Sequence, residues 1–211
     1  MGLSALFAKV QGQDKDVLLL DPNPEALLIA AENLIINGLS AHCEFVCSFV
    51  GDAPDRQVEF YTIGAGAAGS IFPGHAKTAA SIGSRLKVTT TTVDVLVKER
   101  SWVPGFIKID VEGAEHMVLE GMRMTACTHR PWVMVEMHSP PELPMQINAQ
   151  KVLEWCDDVG YRAWYMKTAT MLTDATTIAH RGKCHLLLLP EGVDYPKDLA
   201  RIPQRASLPD A

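Results

Sequence analysis

The 211-residue sequence has no surplus of basic charge: 19 Lys and Arg stand against 25 Asp and Glu, a formal net charge of −6. No cluster of Lys or Arg builds a basic face for phosphates, which argues against nucleic acid as a partner. No apolar run approaches the roughly 18 to 20 residues needed to cross a bilayer, and no basic flank precedes an apolar stretch near position 1. No membrane partner is therefore expected, and the default location is cytoplasmic. N-myristoylation is excluded as well, because the motif requires Ser or Thr where Leu6 stands. The five cysteines are an odd number and lack zinc-knuckle spacing; Cys43 and Cys47 read as strand positions, so reduced, buried thiols are expected. No internal repeat is visible. What is present is 47% hydrophobic residues, enough to bury one core in a chain whose length suits one domain.

Along the chain, short apolar strands alternate with helices. Ser4 to Val10 reads as a short helix and Val17 to Leu20 as a strand ending at Asp21. In DPNPEALLIAAENLIINGL, Asn23 can cap a helix, Pro24 suits its first position, and Leu27, Ala30, Ala31 and Leu34 form a stripe that stops at Asn37-Gly38. Strands are expected over Glu44 to Ser48, Val58 to Ile63 and Lys87 to Thr92, with a Gly/Ala/Ser-rich connection between the last two, so the middle reads as a β-rich insertion. Phe106 to Ile109 is a further strand, followed by a helix from about Ala114 with Met117, Val118 and Met122 on one face. Trp132 to Met137 is a strand. Asn148 is placed to cap a helix closed by Gly160, and Arg162 to Met166 and Cys184 to Leu189 finish as strands that form an antiparallel edge. Prolines 196, 203 and 209 make the segment 191–211 a loosely attached tail beyond a domain spanning 1–190. The alternation implies an α/β domain with a mostly parallel sheet, since parallel neighbours need crossover helices.

In such a sheet, ligands bind outside the carboxyl ends of the strands. The polar residues gather there. Asp21 ends one strand, Asp52 follows the next, Asp110 and Glu112 end a third, and Glu136 and His138 end a fourth. Asp110 closes a buried strand and needs a partner to stay charged, which favours function. Asp52, in GDAPD, fits an ordinary turn equally well. Glu115, inside a first helical turn, is best explained by capping and by the positive end of the helix. The segment GAGAAG, Gly64 to Gly69, matches GxGxxG literally, but Pro73 and Gly74 interrupt any following helix, so a turning connection is expected in place of a dinucleotide loop.

The stretches VLLLDPNPEALLIAAENLIINGL, VTTTTVDVLV, FIKIDVEGAEHMVLEGM, RPWVMVEMHSP and GYRAWYM, in that order, resemble the FkbM-type methyltransferases, S-adenosylmethionine-dependent enzymes that usually methylate hydroxyl oxygens. The resemblance spans roughly Gly2 to Pro190. It implies a class I, Rossmann-like methyltransferase fold in which Asp21 binds the ribose hydroxyls of S-adenosylmethionine, Asp52 lies near its adenine, and Gly2 and Asp110 complete the cofactor side. A carboxylate can accept both hydrogen bonds of a vicinal diol, so the ribose role stands on its chemistry too. The acceptor, a hydroxyl of a small molecule or glycan, would meet Asp110, Glu112, Glu136 and His138. His138 would be the general base, oriented by Asp110 or Glu136. A divalent ion among these groups is conceivable, but no metal is assigned. Family members open with a strand and a loop of the type Asp-x-Gly-Ala-Asn-x-Gly, of which only Gly2 and Ser4 match here; the first central strand is expected to be missing. Two other readings stand beside the enzyme: a non-catalytic binding module of the same fold, and a nicotinamide-dependent oxidoreductase resting on GAGAAG.

Overall fold

The structure, a computed structural model, describes residues 2, 4–5, 8–9, 12, 14–64 and 69–201. Ser4, Ala5, Ala8 and Lys9 are helical, and the rest of the first expected helix lies outside the described residues. Strand β1 (Val17–Leu20) pairs parallel with β2 (Cys43–Val46), and helix α1 (Pro24–Ile36) crosses between them. This helix begins as its sequence dictates. The Asn23 side chain accepts the N–H of Glu25, Pro24 occupies the first turn, and Ala26, Leu27, Ala30 and Leu34 are buried.

The β-rich middle is a three-stranded ladder in the order β3 (Phe49–Val50), β5 (Arg85–Thr91), β4 (Gln57–Tyr61), parallel on one side of β5 and antiparallel on the other. Strand β2 ends before Cys47, so the strand expected over 44–48 stops two residues early, and Phe49 opens a separate strand beyond it. The Gly/Ala/Ser-rich connection carries a short helix, α2 (Lys77–Ser81).

The β-branched run beyond Thr92 conceals a helix, α3 (Val93–Arg100), started by the Thr92 hydroxyl accepting the N–H of Val95 at 3.2 Å. Its Asp94 carboxylate then accepts Met124 N–H at 3.1 Å and Thr125 N–H at 2.7 Å, capping the next helix but one. That contact helps explain why the helix expected from Ala114 is two, α4 (Glu115–Glu120) and α5 (Arg123–His129). Asp94 N–H also bonds the Gly121 carbonyl at 3.0 Å, so the break between them is docked on α3.

The largest sheet runs in the order β6 (Phe106–Ile109), β7 (Trp132–His138), β10 (Lys183–Pro190), β8 (Tyr161–Tyr165), β9 (Thr170–Met171). Strands β6 and β7 are parallel, with Ile107 opposite Val133, while β10 is antiparallel to both β7 and β8. The antiparallel strand is thus interior, not an edge. Its run Leu186 to Leu189 is buried on both faces, the pattern of a central strand. Among the described residues no ladder joins β1 to β6, and the parallel pairing of this mixed α/β fold is confined to β1–β2, β3–β5 and β6–β7.

Helix α6 (Met145–Val159) covers one face of this sheet. Met145, Ala149, Val152, Cys156 and Val159 recur at helical spacing and join Val133, Val135 and Met137 of β7 in the main core. Asn148 does not cap this helix. Pro144 precedes its first residue, and Asn148 lies inside it, fully buried. Nor is the segment after Pro190 loose throughout. Tyr195 is buried against Trp164, ring centroids 5.4 Å apart, and Lys197–Ala200 forms a short helix, α7; residues 202–211 lie outside the described residues.

No disulfide forms among the cysteines. Cys156 and Cys184 are buried as expected, but Cys47 and Cys127 are exposed and Cys43 is intermediate. Burial pushes the Cys156 thiol up to about 12, and Cys184 up to about 11, which keeps both inert. No helix among the described residues is long and apolar enough to cross a membrane.

Candidate functional site

The carboxyl ends of β1, β3 and β6 border a crevice of about 290 Å³, lined by Asp21, Asn23, Phe49, Phe60, Asp110 and Glu112 among others. Asp21 sits where β1 meets the N-terminus of α1. Its Oδ1 accepts the N–H of Asn23 at 2.8 Å, and no hydrogen bond among the described residues engages its second oxygen. Burial raises its pKa, and the Asn23 N–H only partly offsets that rise. Asn23 is itself buried and ties α1 to the far wall, its Nδ2 donating to the Gly64 carbonyl at 2.9 Å.

At the other end of the crevice the chain leaves β6 through Asp110, Val111, Glu112 and Gly113. Glu112 has φ +52° and Gly113 φ +110°. A side chain at Gly113 would meet Pro140 Cγ at 2.7 Å, so the tight turn that carries Glu112 requires glycine both for its dihedral and for the close approach of Pro140.

Glu112 opens onto a network. His75 Nε2 lies 2.6 Å from Glu112 Oε2, and His138 Nε2 lies 3.2 Å from the same oxygen. His138, at the end of β7, is 3% exposed, and its Nδ1 is 2.9 Å from Glu115 Oε1. Glu115 is fully buried; the same Oε1 accepts the Gly113 N–H at 2.9 Å, and Oε2 accepts Asn148 Nδ2 at 2.8 Å. A carboxylate only accepts, so Nδ1 carries a hydrogen toward Glu115, and in the neutral imidazole Nε2 presents its lone pair toward Glu112. Burial pulls the His138 pKa down. The hydrogen bond to Glu115 and the charges of Glu112, Glu115 and Asp110 outweigh it, leaving the group above its ordinary value.

Each outer carboxylate has a cation beside it. Lys108 Nζ is 2.7 Å from Asp110 Oδ2 and 3.8 Å from Glu136 Oε2. Glu136 also pairs with Lys183, and with His185 Nε2 at 3.1 Å. Burial pushes the Glu136 carboxyl up, but Lys183 and His185 more than reverse this and hold it below its usual range.

Five of the residues expected at the site thus adjoin one another: Asp21, Asp110 and Glu112 line the crevice, and Glu136 and His138 continue from Glu112. Asp52 does not line it. It pairs with Arg56 at 3.5 Å on an exposed bend, the ordinary turn role. Gly2 packs on Ala30 of α1, where an added Cβ would meet the Ala30 Cβ at 3.0 Å, and it too lies off the lining. His138 is oriented by Glu115, not by Asp110 or Glu136 as expected, because Glu115 folds back under β7 from the start of α4. Glu115, Asn148 and His75 were not legible as members: capping alone accounted for the first two in the sequence, and His75 lies in an irregular connection. Among the described residues no helix follows directly on the GAGAAG segment, the next being α2 at Lys77. Residues 65–68 lie outside the described residues, and Ser70, next after Gly69, pairs with Tyr61 in an antiparallel bridge, which removes the basis of the oxidoreductase reading.

The sequence matches the methyltransferase FkbM domain family over residues 3–163. No curated protein matches it. Among solved structures, the chain is similar to the methyltransferase FkbM from Methylobacillus flagellatus KT, at 13% identity and a TM-score of 0.51. That likeness, which is one of fold, covers 88% of this chain and 40% of the other, so the chain spans less than half the length of that protein.

Proposed function

Because the chain belongs to the methyltransferase FkbM domain family, we propose that it transfers a methyl group from S-adenosylmethionine to a hydroxyl oxygen of a small molecule or glycan. The observation that supports this reading best is the crevice itself, with the half-buried Asp21 carboxylate at one end and a carboxylate–imidazole network at the other. The residues present suit the cofactor. Asp21 offers a free oxygen to a ribose diol, the rings of Phe49 and Phe60 give an apolar wall, and Asp110 and Glu112 place negative charge where a sulfonium would be favoured.

S-adenosylmethionine, when bound, supplies a methyl group on a positively charged sulfur and departs as the neutral thioether. The chain's part is alignment and proton removal. The chain's own groups would align the acceptor oxygen with the methyl group and take up its hydroxyl proton in the network of Asp110, Glu112 and His138. Glu115 keeps the hydrogen on Nδ1, so Nε2 remains the basic atom facing Glu112. Glu136 belongs to the same acceptor side, its Oε1 lying 3.6 Å from Nε2. Five free cysteines suit a reducing, cytoplasmic setting.

Calorimetric titration with S-adenosylhomocysteine tests the reading. One equivalent bound is expected, with affinity lost in Asp21→Ala. Absence of binding to a folded sample would count against it.

A further inference from the structure

We propose that Asp110, Glu112 and His138 form a binding site for one first-row divalent cation of the Mn²⁺ type. For the ion's chemical role the inference rests on the methyl-transfer reading above; for its binding it stands on the geometry alone.

The first observation is an orphaned atom. His138 Nε2 is buried and, among the described residues, has no hydrogen-bond partner in acceptable geometry, although Glu112 Oε2 is 3.2 Å away. In the neutral imidazole, with its hydrogen held on Nδ1 by Glu115, two acceptors face each other across that gap: an imidazole lone pair and a carboxylate oxygen. Leaving a buried polar atom unmatched costs about 1 to 3 kcal/mol, and an electrophile between the two removes that cost.

The second observation is spacing. One ligand atom each from Asp110, Glu112 and His138 lies within 4.8 Å of the others. Atoms bound about 2.1 Å from a shared ion sit roughly 3 Å apart when adjacent and about 4 Å apart when opposite, so the cluster is already near ligand geometry. One imidazole with two carboxylates is a mixed nitrogen–oxygen set, suited to first-row divalent ions.

Charge points the same way. Asp110, Glu112, Glu115 and Glu136 are four carboxylates, and Lys108 and Lys183 are the two ammonium groups paired with them. Counting these fixed charges alone, the carboxylates exceed the ammonium groups by two, the charge of one dication. Behind the ligands, Glu115 fixes the His138 tautomer and Asn148 fixes Glu115, the carboxylate–histidine arrangement that orients a metal-bound imidazole. An ion there would polarise the acceptor oxygen and hold it beside the crevice; with the Nε2 lone pair given to the ion, the hydroxyl proton passes to a carboxylate oxygen of the network and not to His138.

The test uses the full chain, stripped with chelator and titrated with MnCl₂ without cofactor or acceptor. One Mn²⁺ per chain is expected, with nitrogen hyperfine coupling from a single imidazole in pulsed electron paramagnetic resonance. Asp110→Asn, at an exposed position, should retain the fold and weaken Mn²⁺ binding at least tenfold. Glu115→Gln should weaken it by roughly 10- to 100-fold. No saturable binding, no nitrogen coupling, or an affinity unchanged in Asp110→Asn would overturn the site. Titrating S-adenosylhomocysteine into the same samples separates the two readings: cofactor-product binding without Mn²⁺ binding sinks the metal site alone, and Mn²⁺ binding without it sinks only the methyl-transfer role.

Discussion

Replacing Glu115 with Gln exchanges one oxygen for an NH₂ group at a position with no solvent exposure, and the structure dictates what that must cost. In the native network Oε1 accepts two hydrogens, from Gly113 N–H and His138 Nδ1, both at 2.9 Å, and Oε2 accepts one from Asn148 Nδ2 at 2.8 Å. A glutamine amide can present its oxygen to only one of these groups. With its oxygen toward Gly113 and His138, its NH₂ faces the NH₂ of Asn148; turned the other way, it faces two donors. Asn148 cannot resolve the conflict by turning over, because its Nδ2 also donates to the His138 carbonyl at 3.1 Å, and its Oδ1 would then confront that carbonyl. At least one buried donor is therefore left unmatched in every arrangement, a penalty of about 1 to 3 kcal/mol. For a domain of this size a loss of 2 kcal/mol lowers Tm by roughly 4 to 8 °C. Thermal unfolding followed by circular dichroism, with urea midpoints as a check, measures it. Glu112→Gln, at a partly exposed carboxylate, is the control and should shift Tm by less than half as much. A Glu115→Gln protein melting within 1 °C of the parent would refute the account of this network as fully committed.

Asp21→Asn should hold or raise stability while weakening S-adenosylhomocysteine binding by roughly 10- to 100-fold, the worth of charge-assisted hydrogen bonds. Burial raises the Asp21 pKa in the folded state, so its favourable contribution is complete below the unfolded value near 3.9 and is lost as pH rises through the raised folded value; the variant's advantage should be small at about pH 4 and full at pH 7, as urea midpoints at both will show. Gly121→Ala should cost about 3 kcal/mol or more in chemical unfolding, because the new methyl group would collide with the backbone carbonyl of Gly51, which cannot step aside as a side chain could. Tyr195→Ala should lower Tm by several degrees, since its ring packs on Trp164; an unchanged melting curve would restore the picture of a loose tail after residue 190.

The chain's local chemistry was readable wherever a single residue settles a local question. Asn23, Pro24 and Gly38 bound helix α1 through hydrogen bonds and dihedrals that involve only near neighbours, and Gly160 ends α6 in the left-handed conformation in the same way. The strand ends carrying Asp21, Asp110, Glu112, Glu136 and His138 followed from period and punctuation, so their shared rim was legible too. Local signals failed where distant contacts override propensity. The run after Thr92 is β-branched yet helical because Thr92 caps it and Asp94 is drawn to α5. Asn148 looks like a cap, but its donors are claimed by Glu115 and by the His138 carbonyl.

The sequence by itself determined the α/β alternation, the first helix with its caps, and the acidic strand ends, because each depends on interactions within a few residues. Only the tertiary structure decided that Glu115 and Asn148 stand behind His138, that Asp52 stands apart with Arg56, and that β10 lies inside its sheet. The placing of Glu115, Asn148 and β10 depends on which donor meets which acceptor across 10 to 49 positions of chain, and no local pattern carries that information.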